Sequence, residues 1–167
     1  QNLEEHSPWY GGFTQPDGVY QAKFAIYRIA GMIAAYCNDR SRYHGDDLVL
    51  HRILTGLDYV DRVQHENGLF DYITCNFFSA PDTAFCIGII LPALQYLLKQ
   101  ESLTRDEQLL KTRLAKIIRA GGYGMLEGGF HTPNHRWAIA SVLAICGKIF
   151  GEEDLTQTAS IYLREGI

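Results

Sequence analysis

The eight residues "FHTPNHRW" at positions 130–137 have two counterparts earlier in the chain, "FTQPDGVY" at 13–20 and "FSAPDTAF" at 78–85. Each copy reads Phe-x-x-Pro, then Asp or Asn, then two variable residues and an aromatic residue. Each copy also leads into a stretch of small and apolar residues. Three copies that open the same kind of segment indicate an internal repeat, and they decide the fold prediction.

The repeated pattern is typical of the start of a helix. Proline is favoured in a first helical turn, because the N–H that it lacks would be unpaired there. An adjacent Asp or Asn faces the unpaired N–H groups and the positive end of the helix dipole. In the third copy we expect Thr132 to be the N-cap, with Pro133, Asn134 and His135 in the first turn.

Amphipathic segments alternate with these apolar ones, at residues 46–64, 104–120 and 152–166. The sequence therefore predicts an all-α fold of about six main helices, arranged as three stacked αα-hairpins with an apolar inner layer and an amphipathic outer layer. This is part of an (α/α) toroid. Residues 1–167 form one domain, which we interpret as a fragment of a longer chain. Pro92 predicts a kink in the second inner helix.

The three inner helices run in the same direction, so their N-termini gather at one end of the domain. We therefore expect Asp17, Asp82, Asn134 and His135 to line one shared depression.

Composition excludes several classes of function. The net charge is −4 and no run of Lys or Arg is present, which disfavours nucleic acid as a partner. The longest apolar run, residues 84–98, is shorter than the roughly 20 residues of a membrane span and contains Pro92 and Gln95, so we expect a buried helix and no membrane. Four cysteines without a CxxC pair favour core positions over zinc or redox motifs, and no cofactor is predicted.

The strongest candidate for chemistry is Asn134 with His135, together with His131 and Arg136. Imidazole can act as acid or base at neutral pH, and an amide at a helix N-terminus can hold a carboxylate. This set suits proton abstraction next to a carboxylate. The structural alternative is that Asn134 only caps the helix and His135 only fills space.

Two further constellations stay open. Asp82 with Asp17 or Glu127 would suit acid/base glycoside hydrolysis, although the dipole alone favours a carboxylate in a first turn. A metal site from Glu127, His131 and His135 is disfavoured, because the helix starts between the two histidines. No metal is therefore predicted.

Aromatic residues precede the first two inner helices. Trp9 and Tyr10 lie in a glycine-flanked segment, and Phe77 and Phe78 precede the second inner helix. Flat aromatic rings can stack on sugar rings, and they can equally plug the top of the domain. Tyr10 and Tyr123 are possible proton donors.

With an αα-repeat before it, "GGFHTPNHRW" at 128–137 resembles the toroid domains of heparinase II/III-like and alginate-lyase-like polysaccharide lyases. The resemblance implies β-elimination of a uronic-acid-containing polysaccharide, with Asn134 neutralising the carboxylate and His135 as the base or its helper. It also implies an extracytoplasmic location, and further catalytic residues and a β-sandwich beyond Ile167.

Two other functions remain open, a glycoside hydrolase on the same scaffold and a non-catalytic glycan- or protein-binding module. A three-hairpin piece of toroid leaves an apolar flank exposed at each end. We therefore expect self-association, or packing on a missing C-terminal half.

Overall fold

A computed structural model describes residues 1–164, which form six helices and one short β-hairpin. The elements are, in chain order, α1 (Ala22–Cys37), α2 (Asp47–Val63), β1 (Phe70–Tyr72), β2 (Asn76–Ser79), α3 (Ala80–Leu98), α4 (Arg105–Gly124), α5 (Pro133–Phe150) and α6 (Glu153–Arg164). The six-helix prediction is confirmed. The last helix was predicted to residue 166, and residues 165–167 lie outside the described part of the chain.

The helices pack in the order expected for stacked hairpins. α1 packs on α2, α3 on α4 and α5 on α6, while α3 also lies between α1 and α5. Fully buried aliphatic side chains form the core between the helices. Among them are Ile26 of α1, Ile53 of α2, Ile87 of α3, Leu114 of α4 and Leu143 of α5. Closure into a toroid stays a prediction.

α3 is the central and most apolar helix. It is long and apolar enough to cross a membrane by length and composition, but half of that stretch is buried inside the fold. A core helix that touches three neighbouring helices has the same composition. The helix continues through Pro92, which is exposed to solvent. The kink at this residue stays a prediction.

The all-α prediction is wrong in one respect, because β1 and β2 pair as an antiparallel hairpin before α3. Phe77 and Phe78, expected to precede the second inner helix, lie in strand β2. The backbone N–H of the buried Phe70 donates to Oγ1 of Thr83 at 2.8 Å, and that hydroxyl donates to the Ser79 carbonyl at 2.7 Å. These bonds fix the hairpin to the first turn of α3.

The helix start predicted after Pro16 is also wrong. Pro16 and Asp17 form a turn between Thr14 and Tyr20, which pair as an isolated bridge, and α1 begins only at Ala22. Gly18 has φ +82°, a left-handed conformation that a right-handed helix cannot contain. Asp17 Oδ1 accepts from the Val19 N–H at 3.0 Å, which is the local bond of a turn. Asp17 is therefore exposed in a turn and absent from any helix start.

α4 ends at Gly124, four residues beyond the amphipathic segment predicted at 104–120, and so includes part of a glycine-rich stretch. A Cβ at Gly121 would lie 2.9 Å from Ile87 of α3, so glycine permits close packing of the two helices. Gly68, at φ +84°, lies against the same helix end, where a Cβ would be 2.0 Å from the Ala120 carbonyl oxygen. The turn before β1 is therefore seated tightly on α4.

Three of the four cysteines are core residues, as predicted, and Cys75 is exposed. All four are free thiols. Burial raises the pKa of Cys37 to about 11 and the pKa of Cys86 and of Cys146 to about 12, so the three buried thiols stay protonated at neutral pH.

Candidate functional site

The first two turns of α1, α3 and α5 meet at one end of the domain. Nζ of Lys23 lies 5.5 Å from the ring centroid of Phe85, and that ring lies 6.0 Å from the ring of His135, edge to face. Lys23 also lies 5.8 Å from the ring of Tyr72 in β1. The prediction that the inner helices begin at a common end is thus confirmed. We call this end the pole; it is defined by Lys23, Tyr72, Phe85, His131 and His135.

His135 is the most unusual side chain at the pole. It is half-buried, and its Nδ1 is buried with no hydrogen-bond partner among residues 1–164. The ring of the exposed His131 lies 6.2 Å away. An unpaired buried polar atom costs about 1–3 kcal/mol, and filling space alone does not explain that cost. This favours a functional interpretation of His135.

Asn134 is exposed next to the N-cap of α5. Thr132 is the N-cap residue, as predicted, but its side chain makes no capping bond to the helix. Oγ1 of Thr132 instead donates to Oδ1 of Asn134 at 2.5 Å. Because the amide oxygen is engaged, the amide nitrogen is the end of Asn134 that can donate to a ligand.

Arg136, predicted to bind substrate, stacks on the neighbouring Phe130, with the guanidinium carbon 4.4 Å from the ring centroid. The edge of the Phe130 ring meets Tyr162 of α6 at 5.0 Å. This contact holds Arg136 towards α6, where it covers the Phe130–Tyr162 pair.

The three carboxylates of the hydrolase hypothesis lie on three different parts of the chain. Asp82 accepts from the Ser79 hydroxyl at 2.6 Å and from Nδ2 of Asn76 at 3.4 Å, within the N-cap of α3. Asp17 lies in its exposed turn, and Glu127 is exposed in the segment after α4. The bonds of Asp82 favour its structural role as part of a cap.

Two cations line a depression of about 310 Å³ next to the pole. Lys23 and Arg28 of α1 contribute to its wall, together with Tyr27 and the segment before Asp17. Neither cation forms an ion pair within residues 1–164. Unpaired cations in a depression favour an anionic ligand.

Trp9, from the N-terminal segment, lies beside the start of α1. Its ring stacks on Tyr20 with a centroid distance of 5.4 Å and parallel planes, and 42% of the residue is exposed. Tyr10 is half-buried, and its carbonyl oxygen accepts from the guanidinium of Arg62. Of the two predicted aromatic contacts, Trp9 therefore presents its ring to solvent beside a cavity, while Tyr10 holds Arg62.

Tyr123 lies in the last turn of α4. Its hydroxyl donates to Oε2 of Glu152 at 2.6 Å, and Arg119 binds the same carboxylate. The hydrogen bond to Glu152 raises the pKa of Tyr123. In this structure the Tyr123 hydroxyl is engaged with Glu152, and its role as a proton donor stays a prediction.

No group of three His, Cys, Asp or Glu side chains suited to a metal ion occurs within the described residues. A cavity of about 660 Å³ lies between α1 and α3, towards the far end of α1. Two of its polar side chains are engaged: Nδ1 of His44 lies 3.1 Å from the Tyr36 carbonyl oxygen, and the Tyr96 hydroxyl donates to the Cys37 carbonyl at 3.3 Å. Cavity size alone therefore does not identify the site, and the unpaired groups lie at the pole.

Sequence reasoning missed Lys23 and Tyr72. Lys23 is the only cation in the first turn of α1, and that position would have been a signal if the helix start had been placed correctly. Tyr72 was missed because it lies in the β-hairpin, and the repeat pattern predicted only helices.

No protein-family model, curated protein or solved structure matches the chain. Function is therefore inferred from the chemistry of the pole.

Proposed function

We propose that the chain is the helical-toroid part of a polysaccharide lyase that cleaves a uronic-acid-containing glycan by β-elimination at the pole. The observation that carries this proposal is the half-buried His135, with an unpaired Nδ1, in the same cluster as the unpaired cation Lys23. A base next to a carboxylate-binding group is the minimum that abstraction of a proton adjacent to a carboxylate requires.

In this mechanism Lys23 and the amide nitrogen of Asn134 bind the uronate carboxylate and stabilise the negative charge that develops on it. Nδ1 of His135 has no accessible surface, so Nε2 takes the C5 proton. The electron pair of the C5–H bond forms the C4=C5 double bond, and the C4–O4 bond breaks. The leaving O4 takes a proton from Tyr72, which lies beside Lys23.

The toroid itself is part of the proposal. Large apolar side chains are exposed on both terminal hairpins, with Leu48 on α2 at 63% and Leu163 on α6 at 46% exposed. Such side chains support continuation of the helical stack, either by a second copy or by further chain. An extracytoplasmic location and an acidic polysaccharide as partner follow from the lyase function.

The test is release of unsaturated sugar, followed by near-ultraviolet absorbance, from a panel of alginate, pectate and hyaluronan. We expect absorbance to rise with at least one of them. His135→Ala should lower the rate by about 10²–10⁴-fold, the usual contribution of a general base. His51→Ala, an exposed position on α2, is the matched control and should retain the rate.

Two outcomes would contradict the lyase. New reducing ends without ultraviolet absorbance would indicate hydrolysis. Binding of a uronate glycan without turnover, unaffected by His135→Ala, would indicate the non-catalytic binding module.

A further inference from the structure

A second cavity lies at the same end of the domain, on the opposite side of β1 from Lys23. Its volume is about 220 Å³, and its walls include Trp9, Tyr20, Gln21, Arg62, His65 and Asp71. Successive side chains of a strand point to opposite faces, so Tyr72 faces Lys23 while Asp71 faces this cavity. We call it the Trp9 pocket.

Gln21 gives the pocket its clearest sign of a missing ligand. The residue is 5% exposed, and its Oε1 is buried without a hydrogen-bond partner among residues 1–164. Gln21 is also the N-cap residue of α1, yet its side chain makes no capping bond. A buried acceptor without a partner is costly, and a ligand O–H or N–H in the pocket would satisfy it.

The opposite wall carries a fixed imidazole–carboxylate pair. Nε2 of His65 lies 2.8 Å from Oδ1 of Asp71, and the same oxygen accepts from the Phe78 N–H at 2.8 Å. The rings of His65 and Phe78 lie 4.1 Å apart. Phe78, at φ +50°, is the one non-glycine residue with a left-handed backbone in the described chain. Strain of this kind persists where the surroundings hold a site in place.

The wall of the pocket formed by Trp9 is held in place by close packing and a hydrogen bond. A Cβ at Gly11 would lie 2.1 Å from the Thr55 carbonyl oxygen, so the loop after Trp9 is pressed against α2. Nδ2 of Asn2 donates to the Tyr20 hydroxyl at 3.2 Å. The stacked Trp9–Tyr20 pair is therefore a preformed flat wall.

We propose that the Trp9 pocket binds one pyranose ring of a uronate glycan. The volume corresponds to about seven waters at roughly 30 Å³ each, which is the size of a single sugar ring. The apolar face of the ring stacks on Trp9, a ring hydroxyl donates to Oε1 of Gln21, and Arg62 binds the carboxylate. The ring would be a neighbour of the reacting sugar, so the assignment of its glycan rests on the proposed function.

Trp9 fluorescence reports occupancy of this pocket directly. The chain has two tryptophans, so Trp137→Phe leaves Trp9 as the only one, and Trp9→Phe leaves Trp137 as the control. We expect galacturonate or glucuronate to change the fluorescence of the Trp137→Phe protein saturably. The Trp9→Phe protein should not respond.

Two variants test the assigned contacts in the Trp137→Phe background. Gln21→Met should weaken uronate binding by about 10-fold or more, the value of one hydrogen bond to a buried group. Arg62→Gln should abolish the preference for galacturonate over galactose, which we expect to be at least about 5-fold in the parent.

The proposal is overturned if uronates do not change Trp9 fluorescence, if Gln21→Met binds them as well as the parent does, or if galactose binds equally well. A response to adenosine in place of sugars would also overturn it. Fluorescence titration needs no turnover, so uronate binding at Trp9 could still be measured if the protein had no lyase activity. Lyase activity without a Trp9 response would contradict only the assignment of the Trp9 pocket.

Discussion

The helix starts at the two ends of the domain are built differently. At the far end, Asp46 Oδ1 accepts from the Val49 N–H at 2.9 Å, and Thr104 with Glu107 forms a capping box on α4. At the pole, the N-cap residues Gln21 of α1 and Thr132 of α5 make no side-chain capping bond. Only α3 has a capped start there, through Ser79.

Unpaired buried groups follow the same division. Oε1 of Gln21 and Nδ1 of His135 are the two buried side-chain atoms without a partner in the described residues, and both belong to helix starts at the pole. The outer helices, in contrast, are joined by ion pairs: Arg113 of α4 lies 2.8 Å from Asp58 and 2.7 Å from Asp61 of α2. Capping and pairing of polar groups are satisfied in the rest of the scaffold and incomplete at the pole, which favours a functional role for that end.

The largest expected effect compares two buried polar side chains at the pole. Thr83→Val removes the acceptor of the buried Phe70 N–H and should lower the free energy of unfolding by about 2–3 kcal/mol. Gln21→Met removes an unpaired acceptor and should leave that free energy unchanged, or raise it by up to about 1 kcal/mol. Urea unfolding followed by circular dichroism measures both.

If Gln21→Met destabilised the protein as strongly as Thr83→Val does, Gln21 would have a structural partner and the contrast between paired and unpaired groups would fail. Thr55→Val, at another buried threonine whose hydroxyl bonds only to its own helix, is the control for the substitution itself.

A smaller effect compares the N-caps of the two ends. Thr104→Ala breaks the capping box and should cost about 1 kcal/mol of unfolding free energy. Thr132→Ala removes no capping bond and should cost less than about 0.5 kcal/mol. Equal costs in the same urea experiment would mean that Thr132 caps α5 after all.

Much of the scaffold could be predicted from the sequence. Proline and N-cap signals located the starts of α3 and α5, and hydrophobic periodicity located α2 and α4, because these features act within one or two turns. The first repeat misled the prediction, since Gly18 ends the pattern in a turn and only the tertiary fold shows that α1 starts at Ala22.

The site was predictable only in part. Asn134, His135 and Trp9 could be named from their residue types and positions. Lys23, Gln21 and the His65–Asp71 pair could not, because their significance depends on what lies opposite them in space and on which polar atoms stay unpaired. Sequence spacing contains neither of these facts.

The central claim is that the pole, and not the far end, binds a uronate glycan. The histidines provide an internal comparison, since His65, His131 and His135 lie at or beside the pole while His44 and His51 lie on the other parts of the scaffold. The measurement is a proton–nitrogen NMR spectrum of the imidazole rings during titration with oligosaccharides of alginate, pectate and hyaluronan. We predict that at least one oligosaccharide shifts the signals of His65, His131 and His135 and leaves those of His44 and His51 in place. Shifts at His44 or His51 instead, or no shift with any oligosaccharide, would contradict the account.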